Sequence, residues 1–378
     1  MKYFTFSIML FILLLNCNSD VDVQTEKTHT IEIKDGVKYI QNHVQLWGDE
    51  PKVALEFVRK IGGLDVMDED YQFFNPNDWT VDANGNLYVL DSGNYRIQKF
   101  DLDGKFIATF GRKGLGPSEF RQPLFLSIDP QGNMYVQEMT YSKTKNIIVL
   151  NSTGKELQRF AIADAYTYET LFLKSGNIVR AVQKPDDIDA PLFGVFDNTG
   201  KFLRGFGKKK DFGNDNENKN RNAVVFTIDS NDNIYVAFKS QNRVEKYSSD
   251  GTLIWIADRP LDYKIKIYKE IRKQQSPEPH EYVQVTATTV SDRICVDNEG
   301  RVWVATLNRE ITPEDENRDE LLQDIDEILV ADIFDNDGIF LGRLKNIPYI
   351  FYSKIFGNRV IMEDMADMAF LEYRIVEK

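Results

Sequence analysis

Cysteine is almost missing from this chain. Of 378 residues only Cys17 and Cys295 carry a thiol, too few for a disulfide framework, so the fold rests on a packed core. Histidine is nearly as scarce, with His29, His43 and His280 the three present. The first two precede the repeated part of the chain and the third lies in an insertion, which excludes a three-histidine metal site on inner strands. No CxxC, Gly-rich phosphate loop or serine nucleophile elbow occurs. Positive charge is in deficit: 46 Lys and Arg against 59 Asp and Glu leave a net charge of −13. With no basic stretch interleaved with aromatics, an electrostatic nucleic-acid surface is excluded. Long apolar runs are also missing beyond Tyr3–Leu15, which is shorter than the roughly 20 residues a spanning helix needs.

That one run has a meaning of its own. Lys2 followed by Tyr3–Leu15 reads as a signal peptide. Its end, Leu14-Leu15-Asn16-Cys17, resembles a lipoprotein box, which makes Cys17 the expected site of lipid attachment. The expected organisation is a signal peptide over 1–17, a tether and short hairpin over 18–50, and one domain over 51–378. Ile31–Ile33 and Val37–Ile40, flanking Asp35-Gly36, supply the hairpin.

What the chain has in quantity is repetition. Val81–Gly104 slides onto Ile228–Gly251 without a gap, and Asp82, Asn84, Asn86, Tyr88, Val89, Arg96, Lys99, Asp103 and Gly104 recur as Asp229, Asn231, Asn233, Tyr235, Val236, Arg243, Lys246, Asp250 and Gly251. Within the unit, Asn86–Leu90 and Arg96–Phe100 have strand composition. Asn84-Gly85 and Asp103-Gly104 supply residues that tolerate the positive φ of tight turns. With Trp79–Asp82 before and Phe106–Phe110 after, the unit is a four-stranded meander of about 45 residues, the size of a propeller blade. The turns recur down the chain, for example at Gln131-Gly132-Asn133, Ser175-Gly176-Asn177, Glu299-Gly300-Arg301 and Phe356-Gly357-Asn358. The sixth copy ends after Ala369–Val376 without an outer strand. Val53–Ile61 has the pattern of one. Six blades are expected, with this N-terminal strand completing the last and leaving no open sheet edge.

Asp91-Ser92-Gly93-Asn94-Tyr95-Arg96-Ile97-Gln98, Phe110-Gly111 and Gly114–Phe120 resemble the NHL repeat, and the whole chain resembles the six-bladed β-propeller lipoproteins of Bacteroidetes-type bacteria. The resemblance implies an all-β propeller. Some NHL-like propellers are lyases with a histidine-ligated metal, for which this chain lacks the histidines. Gluconolactonase-like propellers hold a divalent ion with Glu, Asn and Asp.

Chain reversal at each turn puts every short Gly turn on one face of the disc. The long insertions Gly111–Pro123, Thr140–Asn146, Lys184–Pro191, Lys208–Asn222, Asp258–Ser291 and Leu307–Asp326 fall on the other, and loops on a rigid scaffold carry binding residues. Asp91, Glu138 and Glu363 occupy one repeat position in blades one, two and six, facing that elaborated side. Three adjacent carboxylates suit a hard cation such as Ca2+, but a turn role outweighs this, and no cofactor is expected. Lys239 and Arg309 on nearby loops complete the candidate contacts. Arg96 and Arg243 are expected to bond between blades, Phe100, Tyr247 and Phe334 to pack the core, and Cys295 to be a small buried residue. The run Lys264–Lys273 is basic and Thr312–Glu327 acidic, and the two either pair across blade five or are separately solvated. The functional expectation is a non-catalytic binding or scaffold propeller, lipid-anchored in a bacterial envelope (periplasmic or surface-exposed) and taking a protein, peptide or glycan. The alternative is a divalent-metal-dependent hydrolase or lyase of the lactonase type.

Overall fold

The Asp that recurs in blades one, two, four and five explains why the chain folds as it does. Asp82 Oδ1 accepts hydrogen bonds from the backbone N–H groups of Asn84 and Asn86, both at 2.9 Å, and its Oδ2 accepts from Asn86 Nδ2 and the Tyr88 hydroxyl. Asp229 does the same with Asn231, Asn233 and Tyr235. Asp129 and Asp297 hold two N–H groups each in the same way. The residues that match between copies are those that satisfy the turn's unpaired donors, while Gly85 takes the positive φ of 81°.

The computed structural model describes residues 22–25, 28–139, 145–162, 169–182, 184, 187–274, 280–310, 328–347 and 353–378. Cys17 and Thr312–Glu327 lie outside them. The strands run β1 (Asp22–Thr25), β2 (His29–Lys34), β3 (Val37–Asn42) and β4 (Val53–Gly62), then β5 (Pro76–Val81), β6 (Leu87–Asp91), β7 (Arg96–Phe100) and β8 (Phe106–Phe110) as blade one. Blade two holds β9 (Pro123–Ile128), β10 (Met134–Glu138), β11 (Lys145–Leu150) and β12 (Glu156–Ile162). Blade three holds β13 (Leu171–Phe172), β14 (Ile178–Ala181), β15 (Phe193–Phe196) and β16 (Phe202–Phe206). A seven-residue helix, α1 (Asp215–Arg221), precedes blade four, β17 (Val224–Ile228), β18 (Ile234–Phe238), β19 (Val244–Tyr247) and β20 (Leu253–Ala257). A hairpin, β21 (Ile267–Gln274) and β22 (His280–Ala287), leads to blade five, β23 (Ser291–Val296), β24 (Val302–Leu307), β25 (Leu329–Phe334) and β26 (Phe340–Leu344). Blade six is β27 (Ser353–Phe356), β28 (Arg359–Asp364), β29 (Ala369–Glu377) and, as expected from its pattern, β4.

All pairings within the blades are antiparallel. Core clusters form between neighbouring blades: Tyr88, Leu90 and Ile97 of blade one pack with Leu126, Val136 and Ile148 of blade two. Phe100, Tyr247 and Phe334 are buried as expected.

The N-terminal hairpin is more than a tether's end. β3 pairs in parallel with β20 and extends blade four to a seven-stranded sheet. Asn42 then pins blades four and five together. Its side chain donates to the Asp258 and Gly338 carbonyls at 2.8 and 3.1 Å and accepts from the Phe340 N–H at 2.9 Å. The next residues add to blade five, where the Trp47 N–H bonds the Leu341 carbonyl at 2.7 Å. The segment therefore straps blades four, five and six.

Candidate functional site

Asp91 is consumed by its own turn. Fully buried, it accepts from the Phe74 N–H at 2.7 Å, Asn94 Nδ2 at 2.8 Å and Arg96 Nε at 2.8 Å. Arg96 continues to the carbonyls of Glu69 and Gln72. A Cβ at Gly93 would fall 2.2 Å from the Phe74 carbonyl oxygen, so only glycine fits there. Tyr95 takes φ +59°. The Asp-Ser-Gly-Asn-Tyr-Arg stretch is thus a clamp on the link between blades six and one. Arg243, expected like Arg96 to bond between blades, instead pairs with Glu245 of β19, two residues on in its own blade, and lies over Phe238.

Glu138 is also spoken for, accepting the Arg121 N–H at 2.7 Å with Arg159 at 4.0 Å. The described residues bring no three His, Cys, Asp or Glu side chains together in a group able to hold a metal ion. The acidic trio therefore does not converge as a cation site. A shared repeat position sets the height of a residue along its blade, and Asp91 and Glu138 are each drawn to local N–H or cationic partners. Lys239 pairs with Asp292 at 3.2 Å, and Arg309 donates to the Glu310 carbonyl at 3.0 Å. Both sit on the blade four and five side, away from Asp91.

Glu363 behaves differently. It belongs to a charged group at the elaborated mouth of the channel that sequence comparison missed. Asp78 on β5 accepts the N–H of Leu126 on β9 at 2.8 Å and pairs with Lys354 of β27. Lys354 also donates to the Trp79 carbonyl at 2.8 Å. Arg293 on β23 lies 3.6 Å from Glu169, just before β13. Asp78, Lys354 and Arg293 all act electrostatically on Glu363, and Lys354 and Asp78 on Glu169. Blades one, three, five and six thus send three carboxylates and two cations to one place. Cys295 follows Arg293 by two residues and lines a crevice with Trp303, Ser353 and Met362. Burial pushes its thiol up, consistent with an inert packing role.

The missed residues share a signal. Asp78 and Arg293 each stand four residues before the turn aspartate, Asp82 or Asp297, and Glu169 stands four before Leu173, the turn's equivalent. Blades two and four have Phe125 and Val225 there.

Burial, reinforced by the Asp78 carboxylate, pushes the Glu363 carboxyl up to about 7. A raised carboxyl means that the folded state binds the proton better than the unfolded one. Stability then falls as pH rises from the ordinary glutamate range to about 7 and levels off above it. Glu363→Gln is expected to raise stability at pH 8 by on the order of 2–3 kcal/mol, with the gain vanishing near pH 4.5. Urea melts at both pH values measure this, and a pH-independent difference would refute the burial account.

Insertions on the same face lock to one another over blades four and five. Lys269 of β21 pairs with Glu217 of α1 at 2.7 Å, and Lys266 with Glu310 at 2.7 Å. Asn220 Nδ2 donates to the Val285 carbonyl on β22. The basic run therefore leads into and joins one strand of a hairpin, with Lys266 and Lys269 paired to acids.

Comparison with known proteins agrees with this architecture. Residues 74–100, which span the clamp, match the NHL repeat model. Protein brain tumor of Drosophila melanogaster is 32% identical over 102 residues, covering 27% of this chain. The match spans only about 10% of that relative's length. A duf4221 family member from Bacteroides vulgatus aligns at TM-score 0.55 and 11% identity, covering 86% of this chain and 99% of its own. A putative exported protein from Bacteroides fragilis aligns at 0.54 and 14%, covering 90% and 99%. The chain is a six-bladed β-propeller whose first blade matches the NHL repeat.

Proposed function

We propose that this propeller is a non-catalytic binding module whose ligand, a protein, peptide or glycan, seats on the elaborated face over the channel mouth. The observation that carries this is the gathering of Asp78, Glu169, Glu363, Arg293 and Lys354 from four blades at that mouth. Mixed charges held on rigid inner strands can hydrogen-bond donors and acceptors of one ligand at once, with little reorganisation. The interlocked insertions wall one side of the seat, and Lys239 and Arg309 lie on that wall.

A thermal-shift panel of envelope glycans and peptides tests it on the full-length chain. A ligand at a hundred times its Kd stabilises by roughly 2.7 kcal/mol. The shift should disappear in Lys354→Met and in Arg293→Met. A ligand whose shift survives both variants binds elsewhere and overturns the seat. The alternative of a metal-dependent hydrolase draws on Glu363, which titrates near neutrality as a general acid or base does. Lactone or ester turnover lost in Glu363→Gln, with a Ca2+-dependent rise in melting temperature, would replace the binding reading.

Placement in a bacterial envelope, periplasmic or surface-exposed, rests on the leader and Cys17. Lipid on Cys17 would hold the propeller at a membrane through the segment that follows. Cys17→Ser is expected to move the protein from the membrane pellet to the soluble fraction, since acyl chains supply about 0.8 kcal/mol per buried methylene. An unchanged distribution would remove the anchor.

A further inference from the structure

The five most exposed large apolar side chains among the described residues are Met67 (90%), Leu115 (75%), Leu64 (67%), Phe74 (59%) and Met365 (56%). All five lie on loops of the elaborated face, around the junctions of blades six, one and two. Contacts between their loops make them neighbours. The Leu64 N–H bonds Asp367 in the loop that carries Met365. Arg96 fixes the 63–75 loop through the Glu69 and Gln72 carbonyls. Phe74 packs on Gly93, and Lys113 lies 5.0 Å over the Tyr95 ring, which brings the Leu115 loop alongside. The loops are tied down, so this apolar surface is presented in a fixed shape. Exposed apolar side chains gathered on neighbouring loops mark an interaction site, and methionines adapt to varied partners.

Two of its three loops are acidic: the 63–75 loop carries Asp65, Asp68, Glu69 and Asp70 and no Lys or Arg, and the Met365 loop carries Asp364 and Asp367. The Leu115 loop is basic, with Arg112 paired to Glu119 and Lys113 over the Tyr95 ring, so the acidic side of the patch lies around Leu64, Met67 and Met365. We infer that this patch docks a cationic amphipathic segment of another protein, with its apolar residues over Met67, Phe74 and Leu115 and its Lys or Arg residues facing the acids. The inference deepens the binding reading above and rests on the elaborated face being the binding face. An anionic lipid surface and a second copy of this chain would both meet like charge on that acidic side.

Fluorescence anisotropy with a synthetic peptide of about 14 residues tests it, using Leu at helical spacing and Lys elsewhere, on the purified full-length chain. A counterpart with Glu for Lys serves as the reverse charge. The Lys peptide is expected to bind, more weakly as salt rises, and the Glu peptide to fail. Met67→Lys and Leu115→Lys should each weaken binding roughly tenfold, as loss of an interface anchor does. Leu102→Lys, on a tight turn of the opposite face, should leave it unchanged. The patch is overturned if the Lys peptide does not bind, if the Glu peptide binds equally, or if Leu102→Lys weakens binding as much as Met67→Lys. It is also overturned if anionic vesicles or self-association, lost in Met67→Lys, account for the surface. Binding that is erased by Lys354→Met and untouched by Met67→Lys overturns the patch but leaves the channel-mouth reading standing.

Discussion

A chain begun at Gly63 will give no cooperative melt and will aggregate. The cause is β4, which pairs with β29 over the register Ala369↔Gly62 to Glu377↔Val53. Val53 and Ile61 are buried in two separate core clusters. Each such side chain contributes about 1.5–3 kcal/mol, and each ladder hydrogen bond about 0.5–1.5 kcal/mol. Together these approach the roughly 5–15 kcal/mol that holds a whole domain folded. Removal also leaves β29 as a long open edge, a template for pairing with other chains. A chain begun at Glu50 separates the effects. It loses the hairpin and the Asn42 pin but keeps ring closure, and it should melt cooperatively at a lower temperature. A peptide of Val53–Gly62 added to the shorter chain should restore the transition. Cooperative melting of the Gly63 chain near the full-length temperature would mean that blade six closes without its fourth strand.

Asp332→Asn is expected to cost about 3–5 kcal/mol. Asp332 lies on β25 with no exposure, between Arg259 at 2.9 Å and Arg343 at 2.7 Å. Arg259 follows β20, is itself buried, and donates from Nη2 to the Ser291 hydroxyl at 2.7 Å. The carboxylate thus ties blade four to blade five beneath the hairpin insertion. Asparagine keeps the volume but leaves two guanidinium charges without their counter-ion, one of them out of reach of water. Urea midpoints measure the loss. The double variant Arg259→Met with Asp332→Leu should recover much of it, because a buried pair replaced by apolar groups is often neutral. A loss under about 1 kcal/mol in Asp332→Asn would show that packing alone holds this junction.

The contrast between what could and could not be read from residues follows from what repeats preserve. Turn aspartates such as Asp82 and Asp229 recur because the first turn of blades one, two, four and five must satisfy the same two N–H groups, so the repeat, and with it blade number and closing strand, is legible. The channel mouth is where blades differ. Asp78, Glu169 and Arg293 share one position with Phe125 and Val225, and matching copies to each other discards a position that varies. Glu363 was found only because it shares its height with Asp91, although the two carboxylates do different things. In the NHL-like stretch the turn role outweighs the contact role for Asp91, and its polar side chains point into the clamp on residues 69–74. The basic run Lys264–Lys273 hid a strand because Ile265, Ile267, Tyr268 and Ile271 are outnumbered by charge and do not alternate cleanly.

Blade six is assembled from the two ends of the chain, and that fixes a timetable. β4 leaves the ribosome about 300 residues before β29, a wait of roughly 15–60 s at 5–20 residues per second. During that interval five blades can form while the sixth cannot, and β4 has no partner strand. The ring shuts only once β29 has been made, because β29 is the strand that lies between β28 and β4. A chain that stops short of Ala369 remains an open spiral with two bare edges, so closure acts as a completeness check on each molecule made.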